Sequence, residues 1–573
     1  MKDVMSKAEK FSNYIYIGLF VLFTLVIFWK CPYGYANLDE SFYLTFPYRF
    51  LQGDRMLYDE WFGTQMVALP LMPILSLYIK IKGNLDGIFI FIRYLYSVVK
   101  VIFALVLYFG LKKYSKKAAM ATSLVMLLFS AYGLMVFSYN NLSIGGLVIW
   151  ILCMIRGKDE KGNTAVHIIG GIAFSLATIE IPHIVVLFLI YAICVLLKKL
   201  KKIETTSEML NNMLSFRGFI EMLVGVIGCV VAFCCYTFSK ITLSELLQTL
   251  PHIALEDTVH PIRSWYKILF GYFSRIAWRN DHNYFTLACY IALAIVFIFF
   301  IIKDKNNEQR NKCIIILFVI NYVILFQYFF VDYHVNFIMF APNVLAFILY
   351  FMIDDSRIKD IFYCFWIPGM IYSFLGFWAS NTGIHALIVA SSVATVGSIM
   401  IIGRAVEKLL EVKEEKNRIK ANMLMIYLVV FLGMTLYGKV TDIFWENGIS
   451  EQTEWITDGL DKGLLVSKEK YDYYYGIMED TKELRNLTSD YHVLYFSDLV
   501  LWISGEARFG THTSLNSGFP TMLYQYYEEH PDKVPDYVYI EYGRLEDAEV
   551  IELQQYLGLN QLDEKEYGVI LKR

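Results

Sequence analysis

The sequence predicts an α-helical protein that crosses a membrane many times and carries a small soluble α/β domain at its C-terminus. Only 18% of its 573 residues are charged and 57% are hydrophobic, whereas soluble domains carry about 25% charged residues. The apolar residues form runs of about 16–22, close to the roughly 20 residues that one helix needs to cross a bilayer. The apolar runs make membrane lipids the expected partners, and we expect no nucleic acid. The net charge of −3 says little, because the division of charge between the two sides matters more.

The apolar runs predict about 13 transmembrane helices. A positively charged N-terminus precedes the first run without a small-residue cleavage site, so we expect an uncleaved first span. We place the spans near residues 14–30, 86–111, 118–137, 142–155, 165–180, 183–197, 218–238, 284–302, 313–331, 335–353, 361–379, 384–402 and 422–439.

The basic residues predict which side of the membrane each loop occupies. Loops such as "LKKYSKK", "KKLKKIE" and "VKEEKNRIK" are rich in Lys and Arg, whereas the alternate turns "SYNN" and "SNTG" have neither. Cytoplasmic loops carry the excess of basic residues in membrane proteins. We therefore expect a cytoplasmic N-terminus and an extracytoplasmic C-terminus.

One apolar stretch, residues 66–81, breaks this alternation if it is counted as a span. It is short and contains Pro70 and Pro73. We therefore expect a re-entrant or interfacial helix at the outer surface.

Three large regions are predicted outside the membrane. Residues 31–85 and 239–283 are long outer loops of a transmembrane domain that covers residues 1–439, and residues 440–573 form the extracytoplasmic domain. In that domain "HVLYFS", "DYVYIEYG" and "YGVILKR" are typical of buried strands, and "KEKYDYYYGIMEDTKELRNL" is typical of a helix. Strands separated by helical segments indicate a small α/β domain.

The cysteines give no sign of a metal centre or of a disulfide framework. None of the nine follows Cys364, and no CxxC pattern is present. We expect no cofactor and no metal ligands, although the sequence does not exclude a divalent metal.

The stretch "NLDESFYLTF" places two adjacent acids, Asp39 and Glu40, just after the first span. They could begin a helix, with Asn37 as N-cap and Glu40 as its reciprocal partner. Acids in a first helical turn are also stabilised by about 0.3–1 kcal/mol each. Alternatively, carboxylates at a membrane edge are costly unless a partner or a function retains them.

A resemblance to a known family favours the functional interpretation. The order of a first span, a loop opening with Asp39 and Glu40, "LQGDRMLYDEW", a Pro-rich apolar helix and an Arg-led second span is similar to the GT-C superfamily of polyprenyl-phosphate-dependent glycosyltransferases. The branch it resembles contains protein O-mannosyltransferases and lipid A aminoarabinose transferases. The local resemblance covers about residues 14–110, and the resemblance in architecture covers the whole chain.

The resemblance implies that Asp39 is the catalytic base, with Glu40 orienting it or the acceptor. A carboxylate within hydrogen-bond reach can take the proton of an acceptor hydroxyl as that hydroxyl attacks the anomeric carbon. Direct displacement from a lipid-phosphate sugar would invert the anomeric centre.

The leaving phosphate needs cationic or backbone donors. Arg263 with Lys267, and Arg275 with Arg279, are i, i+4 pairs that would each share a helix face. The alternative is an amphipathic helix whose basic residues only contact lipid headgroups. The candidates for binding the donor phosphate are Arg93, Arg263, Lys267, Arg275 and Arg279.

Other polar residues are candidates for contacts with the acceptor or the sugar. They are Tyr43, Asp59, Asn140 and His334, with Asp59 also the reserve acid. The turn "TIEIPH" departs from relatives, which often carry a Lys there, so we assign Glu180 no phosphate-binding role.

We therefore predict an integral-membrane glycosyltransferase at the outer face of the cell membrane. It would transfer a sugar from a polyprenyl-phosphate carrier to a cell-envelope acceptor, which could be a glycan, a lipid or a protein. The alternatives are a lipid-linked sugar flippase and a non-catalytic envelope scaffold. Acids clustered at one surface and an odd number of spans argue against transport, because transporters typically show paired repeats and ionisable residues at the midplane.

Overall fold

The structure is a computed structural model of the whole chain. It describes residues 2–573 except 37, 157–162, 206, 256–263, 279–282, 303–306, 332–336, 380–382, 413, 444–445, 447 and 514–519.

The described residues before position 442 are almost entirely helical. Their α-helices are α1 (Lys2–Lys30), α2 (Leu38–Leu51), α3 (Ala68–Lys82), α4 (Ile88–Leu111), α5 (Lys116–Leu128), α6 (Tyr139–Met154), α7 (Asn163–Glu180), α8 (Val185–Lys199), α9 (Glu208–Met213), α10 (Phe216–Phe238), α11 (Leu243–Leu255), α12 (Trp265–Trp278), α13 (Tyr284–Ile302), α14 (Asn307–Val331), α15 (Ala341–Met352), α16 (Ser356–Ile361), α17 (Ile367–Ala379), α18 (Ile384–Glu411) and α19 (Glu415–Thr441).

Serine residues cap the N-termini of several of these helices. Ser115 accepts a hydrogen bond from the backbone of Ala118 at the start of α5, and Ser215 accepts one from Gly218 at the start of α10. Such caps satisfy backbone N–H groups that have no partner within the helix.

By length and composition, ten helices in the described part of the chain can cross a membrane, as expected of a multi-pass membrane protein. The side on which each terminus lies remains a prediction. The ten are Lys10–Lys30, Gln65–Lys82, Ile88–Leu111, Pro182–Lys199, Phe216–Phe238, Tyr284–Ile302, Glu308–Phe329, Ser356–Ala379, His385–Glu411 and Glu415–Thr441.

The helix α18 lies at the centre of the bundle, and its most apolar window is completely buried. It packs against α17 so closely that a Cβ atom at Gly369 would lie 2.2 Å from the backbone nitrogen of Ala394. Small residues allow such close approach between membrane helices, where packing replaces the hydrophobic driving force.

Some predicted spans differ from the observed helices. Residues 142–155, 165–180 and 335–353 are largely helical, but α6, α7 and α15 are not among the ten. Conversely, Gln65–Lys82 is apolar and long enough to count, although we expected residues 66–81 to be re-entrant or interfacial.

The predicted span 118–137 is helical only as far as Leu128. The chain then becomes irregular, with positive φ angles of 58° at Tyr132 and 77° at Gly133. A single polar side chain supports this segment. Asn141 accepts from the backbone N–H of Ala131 at 2.8 Å, and its amide donates to the carbonyls of Leu134 and Val136. The irregular backbone is thus satisfied within the protein, as membrane depth requires.

The C-terminal region forms the predicted α/β arrangement. Its elements are β1 (Glu454–Trp455), β2 (Leu465–Val466), α20 (Lys468–Asp480), α21 (Lys482–Arg485), β3 (His492–Phe496), β4 (Arg508–Phe509), α22 (Pro520–Glu529), β5 (Tyr537–Glu541), α23 (Ala548–Leu557), β6 (Asn560–Glu564) and β7 (Gly568–Lys572).

Five strands of this region form one mixed sheet in the order β4-β3-β5-β7-β6. The strand β3 is parallel to β4 and β5, and β7 is antiparallel to β5 and β6. The three predicted strands correspond to β3, β5 and β7, and the predicted helix corresponds to α20 and α21. These predictions from alternation and composition are confirmed.

A buried arginine joins the first outer loop to this α/β region. Arg49 is fully buried and forms ion pairs with Asp54 and Glu60. It also donates to the carbonyl of Thr511 at 3.0 Å, and Glu60 accepts from the backbone N–H of Thr513 at 2.9 Å. Since these charges are removed from water, each depends on the others for compensation.

Aromatic stacking reinforces the same junction. The ring of Trp61 stacks on His252 of α11 at 4.1 Å and on His512 of the α/β region at 5.3 Å. Three separate parts of the chain therefore meet at one tryptophan.

We predict that Glu60→Gln lowers the free energy of unfolding by about 3 kcal/mol, because the substitution leaves the buried Arg49 with one carboxylate fewer. Thermal melting of the detergent-solubilised protein, followed by tryptophan fluorescence, measures the effect. Glu506→Gln, which changes an exposed carboxylate in the same region, is the control. Equal melting shifts in the two variants would contradict the prediction.

We also predict that acid weakens this junction through His512. Burial, followed by the charges of Arg49, His530 and His252, lowers the pKa of His512 to about 3. The unfolded chain takes up this proton near pH 6.5, so the stability that neutral His512 provides is complete above that pH. It decreases by about 1.4 kcal/mol per pH unit as the pH falls towards 3. Melting between pH 7.5 and 5 should therefore fall less steeply in His512→Gln, and identical slopes would refute the assignment.

Candidate active site

The two acids of the first outer loop occupy the first turn of α2, which begins at Leu38. Asn37, the predicted N-cap, lies outside the described residues. The hydroxyl of Ser41 donates to the carbonyl of Ala36 at 3.0 Å and fixes the approach to this turn. Because successive residues of a helix point about 100° apart, Asp39 and Glu40 face different surroundings.

Glu40 faces Arg93 of α4 in a buried ion pair. The Nε atom of Arg93 donates to Glu40 Oε1 at 3.1 Å, and its Nη2 atom donates to Oε2. The two side chains are among the buried charged groups, with residue exposures of 4% and 5%. Two parallel bonds of this kind fix both groups in orientation as well as in distance.

Arg93 also holds the loop that precedes α2. Its Nη1 atom donates to the carbonyls of Cys31, Tyr33 and Gly34, and its Nη2 atom donates to that of Tyr35, all at 3.0–3.2 Å. These bonds use every donor position of the guanidinium. The assignment of Arg93 to the donor phosphate stays a prediction, and a phosphate there would compete with these contacts.

Asp39 has a different environment from its neighbour. It is half-buried, and burial followed by the charge of Glu40 raises the pKa of Asp39 to about 6. Its electrostatic neighbours include Tyr43, one turn further along α2, and Tyr139 at the start of α6. A carboxylate with this pKa is ionised at neutral pH and can still accept a proton in a reaction.

Tyr43 is within electrostatic range of two acids, Asp39 and Glu180. It is buried with its ring 6.1 Å from that of Tyr139. Burial, and then the groups Tyr139, Asp39, Tyr132 and Glu180, raise the pKa of Tyr43 well above its usual range. The tyrosine therefore stays protonated and can donate a hydrogen bond to a ligand oxygen.

Glu180, at the end of α7, is a third carboxylate of this region. It is 2% exposed, and its Oε2 atom has no hydrogen-bond partner among the described residues. The sequence placed it at an outer turn without a role. The sequence of the turn alone could not predict that Glu180 is buried within electrostatic range of Tyr43.

The remaining candidates of the loops lie in several places. Asn140 is buried in the first turn of α6. It is next to Asn141, whose side chain forms hydrogen bonds with the backbone of residues 131–136. Asp59 is buried and accepts from the backbone N–H of Arg55 at 2.6 Å, so it stabilises the turn that contains it. His334 lies outside the described residues.

The predicted basic helix of the second large outer loop is α12. Lys267 is exposed on it and Arg275 is half-buried, whereas Arg263 and Arg279 lie outside the described residues. Tyr272 packs inwards and donates to the hydroxyl of Ser373 on α17 at 3.3 Å. Phe270 on the other side is 74% exposed, as expected of a helix that contacts lipid.

Two cavities lie near α2. One of about 30 Å³ is lined by Lys30, Glu40, Arg93, Asp442 and the segment 133–135, among others. The other is a cleft of about 740 Å³ between α2, the loop 83–86 and the α/β region. Asp39 is not in the lining of either cavity, although the adjacent Glu40 lines the smaller one.

In the part of the chain that the structure describes, no group of three or more His, Cys, Asp or Glu side chains is placed to hold a metal ion.

Comparison with known proteins gives similarity to solved structures only. No protein-family model and no curated protein matches the sequence. The archaeal oligosaccharyltransferase AglB from Archaeoglobus fulgidus, in complex with an inhibitory peptide and a dolichol-phosphate, is 12% identical. The match covers 96% of this chain and 71% of AglB, with a TM-score of 0.48. ArnT from Cupriavidus metallidurans bound to undecaprenyl phosphate is 12% identical over 97% of both chains, with a TM-score of 0.39.

We predict that neutralising the two buried glutamates has different effects on the free energy of unfolding. Glu40→Gln should lower the free energy of unfolding by about 3–5 kcal/mol, because it leaves the buried Arg93 without its counter-charge. Glu180→Gln should leave stability unchanged or increase it, since it removes a buried carboxylate oxygen that has no described hydrogen-bond partner. Thermal melting of both purified variants tests this, and similar losses in the two would contradict it.

Proposed function

We propose that this protein is an integral-membrane glycosyltransferase that moves a sugar from a polyprenyl-phosphate carrier to a cell-envelope acceptor at the outer membrane face. The observation that carries the proposal is the contrast between two adjacent acids. Glu40 is fixed by Arg93, whereas Asp39 is half-buried, has a pKa of about 6 and has tyrosines among its neighbours. One carboxylate is thus structural and the other is suited to proton transfer.

The proposed reaction is a single displacement. Asp39 takes the proton of the acceptor hydroxyl, and the hydroxyl oxygen forms a bond to the anomeric carbon of the sugar. The bond between that carbon and the phosphate oxygen breaks, and the polyprenyl phosphate leaves with the electron pair. The anomeric configuration is inverted.

The other groups assist in binding. Tyr43 and Asn140 are proposed contacts of the sugar or the acceptor, and so is His334. Lys267 and Arg275 on α12, together with Arg263 and Arg279, are proposed to meet the phosphate of the lipid carrier at the membrane surface. Each of these groups is of the type that binds hydroxyl or phosphate oxygens.

The α/β region is proposed to position the acceptor. The 740 Å³ cleft between this region and the membrane domain is large enough for a short glycan or peptide. Its lining includes the rings of Tyr48 and Tyr475 and the polar side chains of Arg485 and Asn84. Aromatic rings with nearby polar groups suit the alternating apolar and hydroxyl faces of sugars.

We predict that Asp39→Asn lowers kcat by about 10²–10⁴, the usual contribution of a general base. Purified protein is supplied with a polyprenyl-phosphate sugar and acceptor, and released polyprenyl phosphate is measured. In the unsubstituted protein kcat/KM should rise with pH through about 6, because protonated Asp39 cannot act as the base. Asp490→Asn, an exposed acid of the α/β region, is the control. A folded Asp39→Asn variant with the unsubstituted rate would show that the base is wrongly assigned.

A further inference from the structure

The helix α11 of the second large outer loop turns a row of leucines away from the protein. Leu243, Leu247 and Leu250 recur at the spacing i, i+4 and i+7, which places them on one side of the helix. Their exposed fractions are 59%, 59% and 47%. A contiguous apolar stripe, unlike a single exposed residue, marks a surface that contacts a partner or a membrane.

The opposite side of α11 is polar and is bound to the rest of the protein. The Nε2 atom of the buried His252 lies 2.8 Å from Oε1 of Glu529 on α22, and Gln248 donates to the same carboxylate at 3.2 Å. Glu245 accepts from Arg55 of the first outer loop at 3.1 Å. The polar side of α11 therefore faces the protein and the apolar side faces outwards, the reverse of a surface helix in a soluble domain.

A short turn and a capping box fix the start of α11 next to the end of α10. The span α10 ends at Phe238, and the backbone N–H groups of residues 240 and 241 both bond to the carbonyl of Thr237, at 2.9 Å and 3.0 Å. Thr242 accepts from the backbone N–H of Glu245 at 3.2 Å, and Glu245 accepts from that of Thr242 at 2.6 Å. Such reciprocal bonds define a helix N-terminus. The helix α11 therefore begins where α10 leaves the membrane.

The leucines of α11 continue the lipid-facing surface of α10. Val230, Val231 and Phe238 of this candidate span are exposed, and exposed apolar side chains of a membrane span contact lipid. The helix α11 has no Lys or Arg, and its one carboxylate, Glu245, lies on the side that faces the protein. Because charges are costly among acyl chains, an uncharged outer side allows α11 to enter the boundary between headgroups and acyl chains.

A second copy of this chain is the other occupant that such a stripe could take. A helix of 13 residues is about 20 Å long and about 10 Å wide, so its outer side offers roughly 200 Å². A stable interface between proteins needs about 800 Å² from each partner. The stripe is therefore too small for a dimer interface, whereas lipid requires no minimum area.

We infer that α11 lies in the membrane surface, with Leu243, Leu247 and Leu250 inserted among the phospholipids at the boundary between headgroups and acyl chains. Its polar side holds the α/β region through Glu529, so α11 links that region to the lipid surface. Amphipathic helices bind membranes in this way through their apolar side. The placement of α11 does not depend on the proposed reaction.

The first experiment identifies what contacts the stripe in the full-length protein. Leu247 is replaced by the photo-crosslinking residue p-benzoylphenylalanine, and in a control protein the same residue replaces Glu552, an exposed position on α23. Both proteins are reconstituted into vesicles of phosphatidylcholine and phosphatidylglycerol and irradiated. Mass spectrometry measures lipid adducts, and gel electrophoresis measures crosslinked dimers.

We expect at least tenfold more lipid adduct at position 247 than at position 552. A lipid yield at position 247 no higher than at position 552 would overturn the inference. Crosslinked dimers without lipid adduct would also overturn it, because they would show that a second copy occupies the stripe.

The second experiment measures amide hydrogen exchange of residues 248–255 in the same vesicles. The double variant Leu243→Asp with Leu247→Asp is compared with Ile551→Asp and Leu562→Asp combined, which changes two exposed apolar residues of the α/β region. We expect exchange at least fivefold faster in the α11 variant and unchanged in the control, because carboxylates cannot remain among the lipids and α11 must leave its position. If the leucines faced water, acids near the start of α11 would leave exchange unchanged or slow it, and that result would overturn the inference.

Discussion

The ion pair between Glu40 and Arg93 organises the part of the molecule where α1, α2 and α4 meet. It links the first turn of α2 to α4, and the same guanidinium binds four carbonyls of residues 31–35. Without it the chain between α1 and α2 would have to satisfy these backbone groups at a membrane edge, where unpaired polar groups are costly. The position of Asp39 depends on this loop, so the orientation of the candidate base depends on the adjacent ion pair.

Three carboxylates of this region differ through their environments and not through their type. Glu40 is neutralised by an arginine, Asp39 is half-buried beside that neutralised pair, and Glu180 is enclosed with an oxygen that has no described partner. Such separation of environments is how similar acids come to have different chemical roles. In this protein, Asp39 is the member of the three that combines partial access with a pKa near neutrality.

The helical membrane domain, the three main strands and the acid pair could be predicted because each depends on local pattern: apolar runs, alternation, or position next to a span. The hydrogen bonds of Arg93 could not be predicted, because their acceptors are carbonyls of a loop about 60 residues earlier in the chain. The end of α5 at Leu128 was missed because the apolar run continues through an irregular segment that Asn141 supports. The basic residues around α12 can be assessed only in part, because Arg263 and Arg279 lie outside the described residues.

The buried contacts of Arg49 have a consequence for how this protein can be divided. Arg49, Glu60 and Trp61 belong to the first outer loop, yet their partners Thr511, Thr513 and His512 belong to the C-terminal region. A boundary drawn at the end of the last membrane helix would cut through a charged and aromatic core. Chimaeras that exchange the C-terminal region between related proteins should therefore include residues 49–61. The two segments share buried contacts, so exchanging one without the other would break those contacts.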